Sequence, residues 1–316
     1  MSKNIYLKGM NESELRVYCN NLDFPEFHGE QIYRWMYNKN STNTKDMKNI
    51  PKNLSSNIDK ECIINTLGIK RKAISKIDKT TKYLLETIDN NYIESVSMID
   101  DKRHTVCLSS QIGCNVDCDF CATGKMGIIR NLKVGEIIDQ LIIIQNNSNI
   151  PITNIVFMGM GEPFLNYSNV IKACKIFCDT KAFNFSYKRI TISTSGILPK
   201  IKKYINEKEK YKLAISLNAS NNEIRDKIIP INKKWNIEMI LNSLKNYRYA
   251  KHTPIMFEYI MLKGLNDSEK HANELANLLN NSEYKINLIP FNIVGDKYSR
   301  STKEQISLFA NILNNK

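Results

Sequence analysis

The chain has 316 residues, 42% of them hydrophobic, with a mean hydropathy of −0.37. That is enough to bury one large core and a small one, and no apolar run reaches the roughly eighteen residues of a membrane-spanning helix. The N-terminus has no apolar signal segment, so a cytoplasmic protein is expected, with its eight cysteines reduced. A formal charge of +13 favours a polyanionic partner, although the Lys-, Asn- and Ile-rich composition weakens that inference. No basic amphipathic helix suggests a membrane surface.

Residues 1–75 read as a small helical unit. Asn11 and Glu12-Ser13-Glu14 offer a cap and an acidic first turn ahead of Leu15, Val17 and Tyr18. Gln31–Tyr37 predicts a second helix, and residues 52–64 a third after Pro51. Trp35 and the tyrosines beside it are expected core anchors. Lys70, Arg71, Lys72, Lys76, Lys79 and Lys82 then form a basic stretch, either a solvated linker face or an RNA-contacting edge. Residues 76–104 read as linker and β-hairpin, with strands Lys82–Thr87 and Tyr92–Ile99 about the turn Asp89-Asn90-Asn91.

From residue 105 to 316 a regular alternation begins. Strands are predicted over Thr105–Ser109, Thr153–Met158, Arg189–Thr194, Tyr211–Leu217, Ile255–Leu262 and Tyr284–Pro290. Helices are predicted over Lys133–Gln145, Asn169–Cys178, Leu198–Ile205, Ile237–Arg248, Ser268–Leu279 and Lys303–Asn314. Six strand–helix units imply an α/β fold with a parallel sheet, an open (β/α)6 partial TIM barrel following the small helical domain. Its chemistry belongs at the C-terminal ends of the strands.

Cys114, Cys118 and Cys121 stand as C-x3-C-x2-C in the loop after the first of these strands. Thiolates suit iron–sulfur clusters and zinc, but a zinc site needs a fourth Cys or His, and this loop supplies none. Three thiolates can hold three irons of a cubane cluster and leave the fourth open to a small chelating ligand. A zinc knuckle is the plainer alternative.

The spacing, with Phe120 before the last cysteine, resembles the radical S-adenosylmethionine (SAM) superfamily, in which the methionine part of SAM chelates that open iron. Gly161 and Glu162 follow the second strand, where small residues admit a ligand and a carboxylate can accept the SAM ammonium. Ser193, then Ser216-Leu217-Asn218, then Asn292 stand at later strand ends, with groups that suit the ribose, carboxylate and adenine of SAM. On their own, Cys107 reads as a small strand thiol and Glu94 as a solvated face residue. Cys174 and Cys178 read as core, Cys19 and Cys62 carry no motif, and the four histidines form no metal spacing.

Taken together, Cys107–Cys114, Cys118, Phe120–Gly124 and Arg130-Asn131-Leu132 resemble the RlmN/Cfr family of radical SAM RNA methyltransferases. Gly161-Glu162-Pro163, Ser193–Gly196, Asn222–Lys234 and Ile289–Asn292 agree in order, and residues 1–75 resemble the family's RNA-binding accessory domain. The resemblance implies a 4Fe–4S cluster on Cys114, Cys118 and Cys121. It implies SAM on Gly161, Glu162, Ser193, Ser216, Leu217, Asn218 and Asn292, although many relatives carry His where this chain has Asn218.

It further implies methylation of adenine C2 in 23S rRNA and in tRNA, at the adenosine 3′ of the anticodon. In that chemistry a methyl-carrying cysteine delivers carbon, Glu94 accepts the ring proton, and Cys107 resolves the protein–RNA adduct by forming a disulfide. A flavodoxin or ferredoxin system would supply electrons, and a monomer without membrane attachment is expected. A relative acting at C8 is the nearest alternative. The methyl-carrying cysteine is expected in a Cys-Gly pair after the last helix, yet no cysteine follows Cys178. The sequence as written is therefore expected to make the radical and to lack the methyl carrier, so a SAM- and RNA-binding homologue without methyl transfer is the other alternative.

Overall fold

The structure, a computed structural model, describes residues 5–245, 247, 254–279 and 284–315. It divides into two compact units. The first comprises Met1–Ile112, Arg130–Met160 and Asn166–Ile190. Strand β1 (Ile5–Tyr6) pairs in parallel with β2 (Cys62–Ile63). Between them in sequence lie α1 (Glu12–Asn20), α2 (Phe27–Tyr37) and α3 (Lys52–Glu61).

Asn11 Oδ1 accepts from the Glu14 amide at 2.9 Å, as the expected cap, and Glu14 Oε2 accepts in return from the Asn11 amide at 2.7 Å, which closes a capping box. At Gly29 a Cβ would lie 2.3 Å from the Arg16 nitrogen, so α1 and α2 approach backbone to backbone there. Tyr33 and Tyr37 are core anchors as expected, whereas Trp35 is only half-buried. The third helix stops at Glu61, short of the predicted end, because Cys62 turns into β2. Lys8 and Asp139 form a buried ion pair at 2.6 Å, which the Thr66 amide and hydroxyl complete.

The sheet of this unit runs β3 (Leu67–Ile74), β4 (Thr81–Thr87), β5 (Tyr92–Asp100) and β6 (Arg103–Cys107), each antiparallel to the next. The short strands β7 (Gln111–Gly113) and β8 (Ile128–Asn131) flank the cysteine loop. Helix α4 (Val134–Asn146) leads to β9 (Asn154–Phe157), which lies parallel to β6, and α5 (Tyr167–Cys178) follows.

One expectation changes here. The first half of the basic stretch is strand, not linker: Leu67 to Ile74 pair with Thr87 to Thr81, and only Leu67 is buried. Pairing with β4 overrides the weak strand propensity of Lys70, Arg71 and Lys72. The pair β6 and β9 is parallel as expected, and the hairpin strand β5 joins β6 in antiparallel fashion.

Arg130 clamps the hairpin turn to α4, reaching Asp89 Oδ1 and Glu136 Oε1 at 2.7 Å each. Its hydrogen bonds hold the Asp89 carboxyl well below the usual carboxylate range. A depressed folded-state value gives stability that is present above the unfolded value near pH 4 and is lost as pH falls further. The melting-temperature gap between wild type and Asp89→Asn is therefore expected to be constant above about pH 5 and to close toward about pH 2. Thermal scans across that range decide it, and a gap that widened in acid would contradict the clamp.

The second unit comprises Gly113–Ile129, Gly161–Leu165 and Thr191–Lys316. Strands β10 (Ile190–Thr194), β11 (Lys212–Ser216), β12 (Ile255–Met261) and β13 (Tyr284–Pro290) are parallel neighbours in that order. The connecting helices are α6 (Leu198–Asn206), the short α7 (Asn222–Ile228), α8 (Ile237–Leu244) and α9 (Glu269–Leu279), and α10 (Lys303–Asn314) follows the last strand. Asn246 and Arg248, at the predicted end of the fourth helix, lie outside the described residues. All six predicted strand–helix repeats occur, two in the first unit and four in the second.

Candidate active site

The cysteine loop is pinned at its neck. Gly113 has φ +76°, and a Cβ there would lie 1.8 Å from the Gly127 carbonyl oxygen. Only glycine fits that approach. The Cys114 amide then donates to Gly127 O at 2.9 Å. Val116 anchors the loop in a cluster with Ala219, Ile224, Ile228, Ile229, Leu262 and Phe291, against which Cys114, Cys118 and Phe120 pack. The Asp119 amide donates to Ile228 O at 3.0 Å, and its carboxylate is held by Lys297 and Tyr298.

Burial pushes the Cys114 thiol up to about 11, with smaller contributions from Glu162 and Cys121. It pushes Cys118 further up, followed by the fields of Cys121 and Cys114. Cys114 and Cys118 thus both feel Cys121 and the same carboxylate, Glu162. Among the described residues no three His, Cys, Asp or Glu side chains form a group that could hold one metal ion. Thiolates that each bind a different iron of a cubane need not converge on one point.

Glu162 is buried and held by two amides, Phe164 N on Oε1 at 2.9 Å and Ser195 N on Oε2 at 2.7 Å. Burial raises its carboxyl above the usual range. Gly161 beside it has φ +95°. Ser193 and Ser216 end adjacent strands, with their hydroxyl oxygens 3.2 Å apart. Leu217 is buried. Asn218 has φ +58°, a conformation in which Asn is enriched, and its Oδ1 accepts from the Ile260 amide at 2.9 Å. Asn292 is exposed and accepts from Arg300 at 2.9 Å.

Sequence reasoning missed two residues of this unit. Arg225 is fully buried and donates to Leu217 O at 3.0 Å, Asn232 Oδ1 at 2.8 Å, Ser195 O at 2.6 Å and Ser216 O at 3.2 Å. It therefore ties two strand ends to the segment after α7, and its positive field lowers the Cys118 thiol. Glu258 is buried on β12, where Ser193 and Ser216 donate to it. For Glu258 the available signal was a charge inside an apolar run, between Phe257 and Tyr259; Arg225 carried no such signal, because Glu223, Asp226 and Lys227 surround it in sequence.

In the first unit, Val96 on β5 pairs directly with Cys107 on β6. Glu94 lies two residues before Val96, so Glu94 and Cys107 present side chains on one face of adjacent strands. That face is half-exposed, whereas Ile93, Ser95 and Ser97 between them are buried. Lys82 pairs with Glu94 Oε1 at 2.9 Å.

Comparison with known proteins agrees with this geometry. The model of the Radical SAM superfamily matches residues 108–276, which sets the class of protein. That of the ribosomal RNA large subunit methyltransferase N-terminal domain matches residues 5–64. A probable dual-specificity RNA methyltransferase RlmN of Pseudothermotoga lettingae is 44% identical over 93% of this chain and 86% of its own length. The dual-specificity RNA methyltransferase RlmN of Buchnera aphidicola subsp. Schizaphis graminum is 43% identical over 99% and 88%. A solved radical SAM methyltransferase from Sphaerobacter thermophilus superposes with a TM-score of 0.94 at 34% identity, over 99% of this chain and 93% of that one.

The chain belongs to the RlmN family of radical SAM RNA methyltransferases. Its fold is the radical SAM α/β partial barrel with an N-terminal helical domain. Its cofactors are a 4Fe–4S cluster and SAM. The donor set fits the cluster: three coupled thiols on a pinned loop, with no fourth Cys or His in that loop. No helix among the described residues is long and apolar enough to cross a membrane.

Proposed function

We propose that this chain methylates C2 of adenine in 23S rRNA and in tRNA, at the adenosine 3′ of the anticodon. The observation that carries the reading is the placement of Glu94 and Cys107 on one face of adjacent strands. An acid–base group and a thiol set side by side suit a reaction that must remove a ring proton and then break a bond to the protein. The likeness to dual-specificity RNA methyltransferases RlmN supports RNA methylation, and the family resemblance implies C2 rather than C8.

Cys114, Cys118 and Cys121 would hold the cluster, and Glu162 the ammonium of SAM. Together, when bound, these cofactors supply a radical able to take hydrogen from an S-methyl group. Lys82 fixes Oε1 of Glu94, which leaves Oε2 for the adenine proton. As the resemblance implies, the thiol of Cys107 would attack the sulfur that carried the methyl, a cysteine sulfur that residues 1–316 do not supply: the S–S bond forms, the S–C bond to the base breaks, and its electron pair passes to the carbon, which becomes the methyl group on protonation. Residues 5–64, with the exposed Lys70, Arg71 and Lys72 of β3, would meet RNA phosphate. The enzyme would work in the cytoplasm as a monomer, reduced by a flavodoxin or ferredoxin system.

One anaerobic assay tests the reading: reconstituted protein, SAM, reductant and unmodified RNA, with 5′-deoxyadenosine and methyladenine measured separately. 2-Methyladenine establishes it, 8-methyladenine moves the chemistry to C8, and 5′-deoxyadenosine without methyladenine would overturn it.

A further inference from the structure

We propose that Glu258 is a SAM ligand, accepting a hydroxyl of the SAM ribose. The proposal rests on the reading that Ser193 and Ser216 face SAM. Three side chains from three consecutive parallel strands meet here: Ser193 on β10, Ser216 on β11 and Glu258 on β12. Ser193 Oγ donates to Glu258 Oε2 at 2.6 Å and Ser216 Oγ donates to the same oxygen at 3.0 Å. The backbone repeats the arrangement, because the amides of Leu217 and Asn218 donate to Glu258 O at 3.1 and 3.0 Å. One residue thus orders the whole Ser216-Leu217-Asn218 strand end.

The carboxylate is under-supplied. It is buried, and among the described residues no Lys, Arg or His pairs with it. Two neutral hydroxyls on a single oxygen offset only part of the cost of burying a charge. The second oxygen, Oε1, takes no hydrogen bond from the described residues, and it is not among the sealed polar atoms that lack a partner. It therefore has lone pairs open to a donor from outside the chain.

SAM offers three kinds of donor, the ammonium, the ribose hydroxyls and the adenine amino group. Glu162 already suits the ammonium on the reading above, because the methionine end must lie at the cluster. The adenine amino group is flanked by ring-nitrogen acceptors that repel a carboxylate, so the ribose hydroxyls are the match for Glu258. An ionised carboxylate only accepts hydrogen bonds and a hydroxyl donates one, so the pair is chemically matched.

The test is calorimetric binding to the cluster-reconstituted protein, anaerobically and without reductant, so that SAM is not consumed. SAM is compared with its 2′-deoxy and 3′-deoxy analogues. Wild type is expected to bind SAM about tenfold more tightly than at least one analogue. In Glu258→Met that ratio is expected to collapse to about one, and in Glu258→Gln, which keeps shape and hydrogen bonds to the serines, to fall between. If Glu258→Met does not fold, Glu258→Gln decides.

An unchanged ratio in the variants would overturn the proposal. So would an equal loss for SAM and both analogues, which would mean that Glu258 only braces the serines. Ser193→Ala and Ser216→Ala separate the underlying reading: if neither weakens SAM binding, the serines do not face SAM, and that reading fails whatever Glu258 does.

Discussion

Arg225→Met is expected to cost on the order of 4 kcal/mol of stability, near the top of the range for single substitutions. Methionine has a similar reach but no donors. Its presence would strip partners from the carbonyls of Ser195, Ser216 and Leu217 and from the Asn232 amide oxygen, all within a buried region. Each lost partner in such a place costs about 1–3 kcal/mol, and relaxation recovers some of the sum.

Burying the guanidinium is itself unfavourable and pulls it down to about 10. The chain tolerates that because four oxygens surround the cation. Arg225→Lys is expected to recover little, since one ammonium nitrogen cannot span acceptors on two strand ends and on Asn232. Denaturant unfolding at constant m-value measures the loss, and iron content after reconstitution shows whether the cysteine loop shares it. A midpoint within error of wild type for Arg225→Met would refute the bracing role.

Gly113→Ala is the second large effect. Two penalties coincide: a φ of +76° that L-residues adopt at a cost, and a methyl placed 1.8 Å from a carbonyl oxygen. The neck must open, and the bond from the Cys114 amide to Gly127 O opens with it. Cys114 then loses its register with Cys118 and Cys121. Iron affinity in anaerobic reconstitution is expected to fall about 10–100-fold, as when groups that orient metal ligands are removed.

Gly127→Ala is the matched control. Its φ of +68° is also left-handed, but a Cβ there meets nothing within 4 Å. It should cost about 1–3 kcal/mol of backbone strain and leave iron loading near wild type. Equal iron loss in both variants would show that backbone strain, not the close approach, governs the loop.

The strand–helix repeats were legible because apolar periodicity changes between strand and helix, and Asn11 announced its helix as a cap, the role it takes in the structure. The cysteine loop was legible from spacing alone. Glu94 and Cys107 were not, since a lone Glu and a lone strand Cys carry no pattern, and only family resemblance singled them out. Strand β3 was hidden by its own side chains, which look like a linker until β4 is there to pair with them. Arg225 and Glu258 were hidden differently. Their partners are backbone carbonyls and serines far apart in sequence, and those meet only when the parallel strands are in register.

Strand β3 has a consequence beyond RNA. It pairs with β4 on one side and stands at the margin of its sheet, with nearly all of its eight residues exposed. A bare margin of that length is a template onto which a second molecule can add a strand. Lys70, Arg71 and Lys72 set cation against cation across any such seam, and so keep separate copies apart. Ionic strength therefore pulls the same three side chains in opposite directions. Added salt would weaken the hold on RNA proposed for them, and it would also screen the repulsion that opposes edge-to-edge pairing.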